Sequence, residues 1–154
     1  MSFDNLSDEV DAIYKYALGE ANRAKQLQAG GDHILLALLA SHYGTASKVL
    51  FRYNDLEEDA RTIVRKLTPS WWIRKRGKVR LATSSSGFMR AHEFAAQKAR
   101  ELRGADATLT ELDLLEAILR IGEENLLELL RQLNIPPFEI LEEIDEFRKL
   151  SVEN

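Results

Sequence analysis

The chain contains no cysteine. That excludes disulfides, thiolate metal ligands and cysteine nucleophiles together. It has three prolines and eight glycines in 154 residues, little turn material for a β-sandwich of many short strands. No apolar run approaches the roughly 18 residues a membrane-spanning helix needs. The opening decapeptide, MSFDNLSDEV, has neither a basic start nor an apolar stretch, so it does not read as a signal peptide. A cytoplasmic location is the expectation. A nucleotide-phosphate loop is missing too. Gly77-Lys78 lacks the earlier glycine and the following hydroxyl of G-x-x-x-x-G-K-[ST]. What is present, 45% hydrophobic and 30% charged residues, is the balance of an ordinary globular domain, and the length suits one.

Charge is unevenly spread. Residues 1–110 carry 17 Lys and Arg against 13 Asp and Glu, whereas residues 111–154 carry 4 against 12. The acidic C-terminal third argues against wrapping a nucleic acid along the whole surface.

Apolar residues recur at three- and four-residue steps over most of the chain, which predicts helices. Val10, Ile13, Tyr14, Ala17, Ala21 and Ala24 make one face, with Ser7 or Asn5 as its cap. After Gly30-Gly31 the run Ile34–Leu39 is apolar on every side and predicts a central, buried helix. Gly44-Thr45 opens a short helix through Tyr53. Asp55 and Glu58 have the spacing of a capping box for the next helix, which Thr68-Pro69-Ser70 ends. Ser84–Gly87 reads as a flexible joint, with a short extended piece at Lys78–Leu81. Phe88 to Leu102 forms a further helix. Thr110 and Asp113 suggest a second capping box. Helices through Leu114–Leu119 and Leu126–Leu133 follow. The last begins at Pro136-Pro137 and is expected to bury Phe138, Ile140, Leu141, Ile144 and Phe147.

The two halves repeat each other. His33–Leu39 aligns with Asp113–Leu119 at an offset of 80, as do Val49-Leu50 with Leu129-Leu130 and Leu67 with Phe147. The first helices align at 75, Ala21 with Ala96 and Ala24 with Ala99, implying a loop five residues longer around Gly104–Leu109. The expectation is an all-α domain of eight helices, two tandem four-helix pseudo-repeats packed into one core. It spans residues 6–150, with repeat 1 at 6–69, a basic linker at 70–86 and repeat 2 at 87–150.

That order of helices, with Asp32-His33-Ile34-Leu35-Leu36-Ala37-Leu38-Leu39 as its most specific part, resembles the N-terminal domain of Clp ATPases. The resemblance covers residues 6–150 and implies a non-catalytic, all-helical module that binds substrates or adaptors. In that family the module sits ahead of ATPase units, and none follows it in this sequence. A copy of this kind resembles accessory factors of a Clp protease core or its ATPase. The implied partners are a Clp ATPase or protease subunit, or client proteins.

Some members of that family recognise phosphorylated arginine through an acid placed just before the histidine. In this sequence that position is Asp32, and its counterpart in the second repeat is Leu112, with Glu111 one residue away. The preferred reading of Asp32 is a residue that caps or charges the N-terminus of the buried helix. Tyr43, Tyr53, Leu109 and Leu112 lie at helix ends, where side chains can escape burial, and are further candidate protein-binding positions. His33 reads as a structural histidine. His42 and His92 have no second ligand at metal spacing, so neither metal nor cofactor is expected. No catalytic constellation is found, so no enzymatic activity is expected.

One segment departs from the family pattern. Trp71, Trp72, Arg74, Lys75, Arg76, Lys78 and Arg80 make a basic aromatic stretch. It reads first as a docking patch for an acidic partner or as aromatics packed on the core. The alternative function is nucleic-acid binding, with cations on phosphates and tryptophans stacked on bases.

Overall fold

The computed structural model describes residues 6–41, 44–67 and 81–153, with side chains through Leu150. Helix α1 (Asp8–Arg23) starts where Ser7 is extended and its Oγ accepts the Val10 N–H at 3.2 Å. Asp8, Glu9 and Asp11 in its first turn complement the helix dipole. Helix α2 (Gly31–Ala40) is buried from Gly31 to Leu39, as a run apolar on all sides requires. Helix α3 (Thr45–Val49) is followed by a 3-10 helix (Phe51–Leu56) and then α4 (Glu57–Leu67). The capping box expected at Asp55 and Glu58 does not form. The 3-10 helix runs straight into α4 through a helical Glu57 (φ −53°, ψ −48°), so no extended residue exists to serve as a cap.

The second half is α5 (Ser86–Arg103), α6 (Glu111–Ile121), α7 (Glu124–Leu133) and α8 (Pro137–Glu153). The expected joint at Ser84–Gly87 is ordered structure. Thr83-Ser84 forms a two-residue strand β2, Ser85 caps α5 by accepting the Phe88 N–H at 3.0 Å, and Ser86-Gly87 open the helix. The extended piece expected at Lys78–Leu81 lies, at residues 78–80, outside the described residues. Phe138 is 79% exposed, against expectation. It stands two residues, about 200° of helix, from Ile140, and Ile140 with Ile144 points to the core. The Thr110–Asp113 box forms as expected: the Asp113 N–H donates to Thr110 Oγ1 at 3.4 Å, and Asp113 Oδ2 accepts the Thr110 N–H at 3.1 Å.

The halves are joined reciprocally. β1 (Gln28–Ala29), between α1 and α2, pairs in parallel with β2, just before α5. Leu6, just before α1, bridges in parallel to Leu109, just before α6. The Ser85 N–H donates to Ala29 O at 2.9 Å, and the Ser7 N–H donates to Leu109 O at 3.2 Å. The two capping serines thus play the same part at an offset of 78. The buried faces agree: Val10, Ile13, Ala17 and Ala21 correspond to Phe88, Ala91, Ala95 and Ala99. The offset of 75 is therefore corrected to 78, and the second repeat is longer by two residues, not five. Small alanines fit several registers, and only the caps and the buried face choose between them.

Two ionic clusters fasten the outer helices. Glu20 on α1 is 4% exposed and meets Arg23 at 2.8 Å and Arg61 of α4 at 3.2 Å. Burial pushes its carboxyl up, but the two arginines outweigh that and hold it below the usual range. On α6, Asp113 and Glu116 are 1% and 2% exposed. Arg148 of α8 donates to both, at 2.9 Å on Asp113, and Arg103 closes on Asp113 from the end of α5.

Candidate functional site

The enclosed α2 brings its buried N-terminus beside the N-termini of α5 and α7, at the wall of a cleft. Glu123, the residue before α7, is the tie. Its Oε1 accepts the Gly31 N–H at 2.6 Å and its Oε2 accepts the Ser85 hydroxyl at 3.1 Å. A carboxylate accepting from one helix N-terminus and from the cap of another sits where the dipoles favour an anion. The fit needs glycine: a Cβ on Gly87 would lie 1.9 Å from Glu123 Cδ. The equivalent helices α6 and α3 meet with donor and acceptor exchanged. The Thr45 N–H, at the start of α3, donates to Glu111 Oε1 at 2.6 Å, with Gly44 at φ +98° pressed against that carboxylate.

The cleft beside Glu123 encloses about 430 Å³, lined by Gly30, Asp32, His33, Ser85, Arg90 and the segment 121–125. His33 is satisfied. Its Nδ1 accepts the Gly30 N–H at 3.1 Å, so Nε2 bears the proton and donates to Gln26 Oε1 at 2.5 Å. The residue that caps α2 is thus His33 rather than Asp32. Asp32 is 3% exposed, with Oδ1 3.3 Å from His33 Nδ1. Because that nitrogen is occupied as an acceptor, the pair is not an ion pair while His33 is neutral. Asp32 Oδ2 is buried with no hydrogen-bond partner among the described residues. On the same cleft Arg90 is exposed and makes no ion pair or hydrogen bond with the described residues. A buried carboxylate oxygen left without a donor costs free energy that a bound donor would recover.

The other candidate positions are placed differently. Leu109 and Leu112 are 2% and 5% exposed, so the expectation that they escape burial fails. Leu109 is held by its bridge to Leu6, and Leu112 turns with the α6 face that packs inward. Glu111 is 6% exposed and committed to Thr45. Tyr53 is half-buried on the 3-10 helix, with the Arg52 guanidinium 5.5 Å over its ring. Asp32 alone of these lines the cleft. Tyr43, Trp71, Trp72, Arg74, Lys75, Arg76, Lys78 and Arg80 lie outside the described residues. Arg90, Ser85 and Glu123 were not nominated from sequence. Ser85 and Glu123 sit in breaks between helical patterns, and only packing brings them to Gly31. Among the described residues no cluster of three potential ligands could hold a metal ion, and no helix is long and apolar enough to cross a membrane.

No protein-family profile matches the chain, and no curated protein matches it. Solved structures do. The N-terminal domain of the caseinolytic protease associated chaperone ClpD from Arabidopsis thaliana superimposes with a TM-score of 0.73 at 13% identity, covering 97% of each chain. The Hsp104 N-terminal domain from Candida albicans gives 0.72 at 15% identity, covering 94% of this chain and 92% of that one. The N-terminal domain of the ClpV1 ATPase from E. coli gives 0.53 at 17% identity, covering 91% and 83%. The chain has the all-α fold of a Clp N-terminal domain, with eight α-helices among the described residues in two packed four-helix repeats.

Proposed function

We propose that this chain is a non-catalytic protein-binding module, acting as an accessory factor or adaptor for a Clp ATPase–protease or binding its client proteins, and that the cleft between the repeats is where it binds. The fold it shares with the ClpD domain, part of a caseinolytic protease associated chaperone, supports the class of function. The observation that carries the site is Asp32. A nearly enclosed carboxylate lines a cleft that also offers an arginine, and neither its Oδ2 nor that arginine has a partner among the described residues. Such a site suits a cationic group on a partner, held by a charge-assisted hydrogen bond.

The test is affinity capture with the tagged chain at moderate and high salt, followed by direct binding to each purified protein recovered. A Clp ATPase or protease subunit that binds at both salts, and binds at least about tenfold more weakly to Asp32→Asn, is the expected result. Recovery of nucleic acid alone, and only at the lower salt, would instead establish the basic stretch 71–80 as the functional surface.

Arg90 on the same cleft as Asp32 favours a second, narrower reading: phosphoarginine on a client, with the acid on its guanidinium and Arg90 on its phosphate. Titration with free phosphoarginine and free arginine decides it. Preference for the phosphorylated ligand, lost in Arg90→Glu, is required. Equal affinity for both ligands rejects it.

A further inference from the structure

A second groove lies away from the cleft, between α3 and α8. It encloses about 440 Å³. Val49, Phe147 and Leu150 form its apolar floor, and Leu150 is 59% exposed. Its rim is Glu139, Glu142, Glu143 and Glu146. These four stand at positions i, i+3, i+4 and i+7 of α8, one continuous stripe. Glu143 pairs with Arg52, and Glu146 is 3.7 Å from Lys149. Glu139 and Glu142 are exposed and have no ion-pair partner among the described residues. The rim's one cation, Lys48, is drawn over the Phe147 ring at 5.7 Å. Aligned carboxylates repel one another on an isolated helix, and α8 gains nothing in its own fold from keeping two of them unpaired around exposed apolar surface.

We infer that this groove docks a cationic amphipathic helix of a partner protein, with lysines or arginines on the glutamate stripe and one or two bulky apolar side chains on Val49, Phe147 and Leu150. The geometry is that of a helix laid in a groove. From Glu139 to Leu150 the stripe runs about 16 Å at 1.5 Å per residue, so three turns of a partner helix cover it. The inference rests on the reading of the chain as a protein-binding module, but it uses a surface separate from the Asp32 cleft.

The probe is a labelled peptide of about 14 residues, lysine on one face and leucine on the other, with a scrambled peptide of the same composition as control. Binding to the full chain is followed by fluorescence anisotropy. The amphipathic peptide should bind more tightly than the scrambled one. Glu139→Gln/Glu142→Gln should weaken it about tenfold, and Leu150→Ser should weaken it at high salt as well. Glu101→Gln/Asp106→Asn removes the same charge from positions that do not line the groove and should leave binding unchanged, with circular dichroism confirming that every variant is folded. Equal loss in both double variants would mean attraction to net charge alone, and the inference falls. It falls too if sedimentation shows a dimer of the free chain that Glu139→Gln/Glu142→Gln dissociates, because a second copy then fills the groove. The Asp32→Asn variant separates the two proposals: it should bind this peptide normally even where it has lost the captured partner.

Discussion

Arg148→Met removes a charge and keeps most of the aliphatic stem. In the native fold that guanidinium, its side chain 16% exposed, reaches Asp113 Oδ1 at 2.9 Å and also Glu116 Oε1. Both acids are almost wholly buried. Breaking a buried pair by deleting one partner costs about 3–5 kcal/mol, because a carboxylate is left in a poor solvent. Here Arg103 still holds Asp113, and Arg120 stands 3.5 Å from Glu116. The lower end, about 3 kcal/mol, is therefore expected. For a chain of this size that lowers the melting midpoint by about 6–12 °C. Urea unfolding followed by circular dichroism measures the loss, with an unchanged m-value showing that the native state stays compact. Adding Glu116→Gln to Arg148→Met should recover about 1 kcal/mol or more, since the orphaned charge is gone. Arg131→Met, which breaks the exposed pair with Glu128, should leave the midpoint essentially where it was. A loss under about 1 kcal/mol for Arg148→Met, or no coupling to Glu116→Gln, would refute the idea that α8 is fastened through these acids.

Gly87→Ala places a methyl 1.9 Å from Glu123 Cδ and must drive that carboxylate off Gly31 and Ser85. Despite alanine's better helix propensity, a net loss of about 2 kcal/mol is expected by urea titration. His92 Nδ1 and the Tyr14 hydroxyl share a hydrogen bond of 2.7 Å between α1 and α5, and burial holds the imidazole below the ordinary value of 6.5. The unfolded chain then binds the proton more readily, so stability from this group is complete above pH 6.5 and falls as the pH drops below it. Unfolding midpoints from pH 7.5 to 5 should fall less in His92→Gln than in the native chain, and identical slopes would dismiss the effect. Leu115→Ala, at a fully buried position, should cost about 3 kcal/mol. Leu102→Ala, at a position 48% exposed, should cost under about 1 kcal/mol.

Much of the framework was legible in the residues. Ser7 and Thr110 announce helix starts because a short side chain with an oxygen is what an orphan N–H group needs. The run Ile34–Leu39 announces a central helix because it has no face that water would tolerate. The Asp55 cap failed for a related reason. A capping residue needs an extended backbone, and a 3-10 turn leading directly into α4 supplies none. Phe138 was misjudged on side-chain type alone, where its angle around α8 decides exposure. The site was half legible. Asp32 stood out by its place before His33, but that its Oδ2 is buried without a hydrogen-bond partner among the described residues is a matter of packing. Leu109 and Leu112 looked like helix-end residues free to bind, yet Leu109 is bridged to Leu6 of the opposite repeat and Leu112 is buried in the core.

Local signals along the sequence determined the helices, their caps and the duplication, since each depends on residues within a turn or two of one another. The tertiary structure alone decided the register between the repeats and the meeting of Gly31, Ser85 and Glu123. It also decided the burial of Asp32 beside an open Arg90, and the glutamate stripe of α8 left facing solvent beside α3. Those features join residues distant in the chain, such as Gly31 with Glu123 and Leu6 with Leu109. No periodicity encodes such distances. They follow from two amphipathic halves that bury their apolar faces against each other.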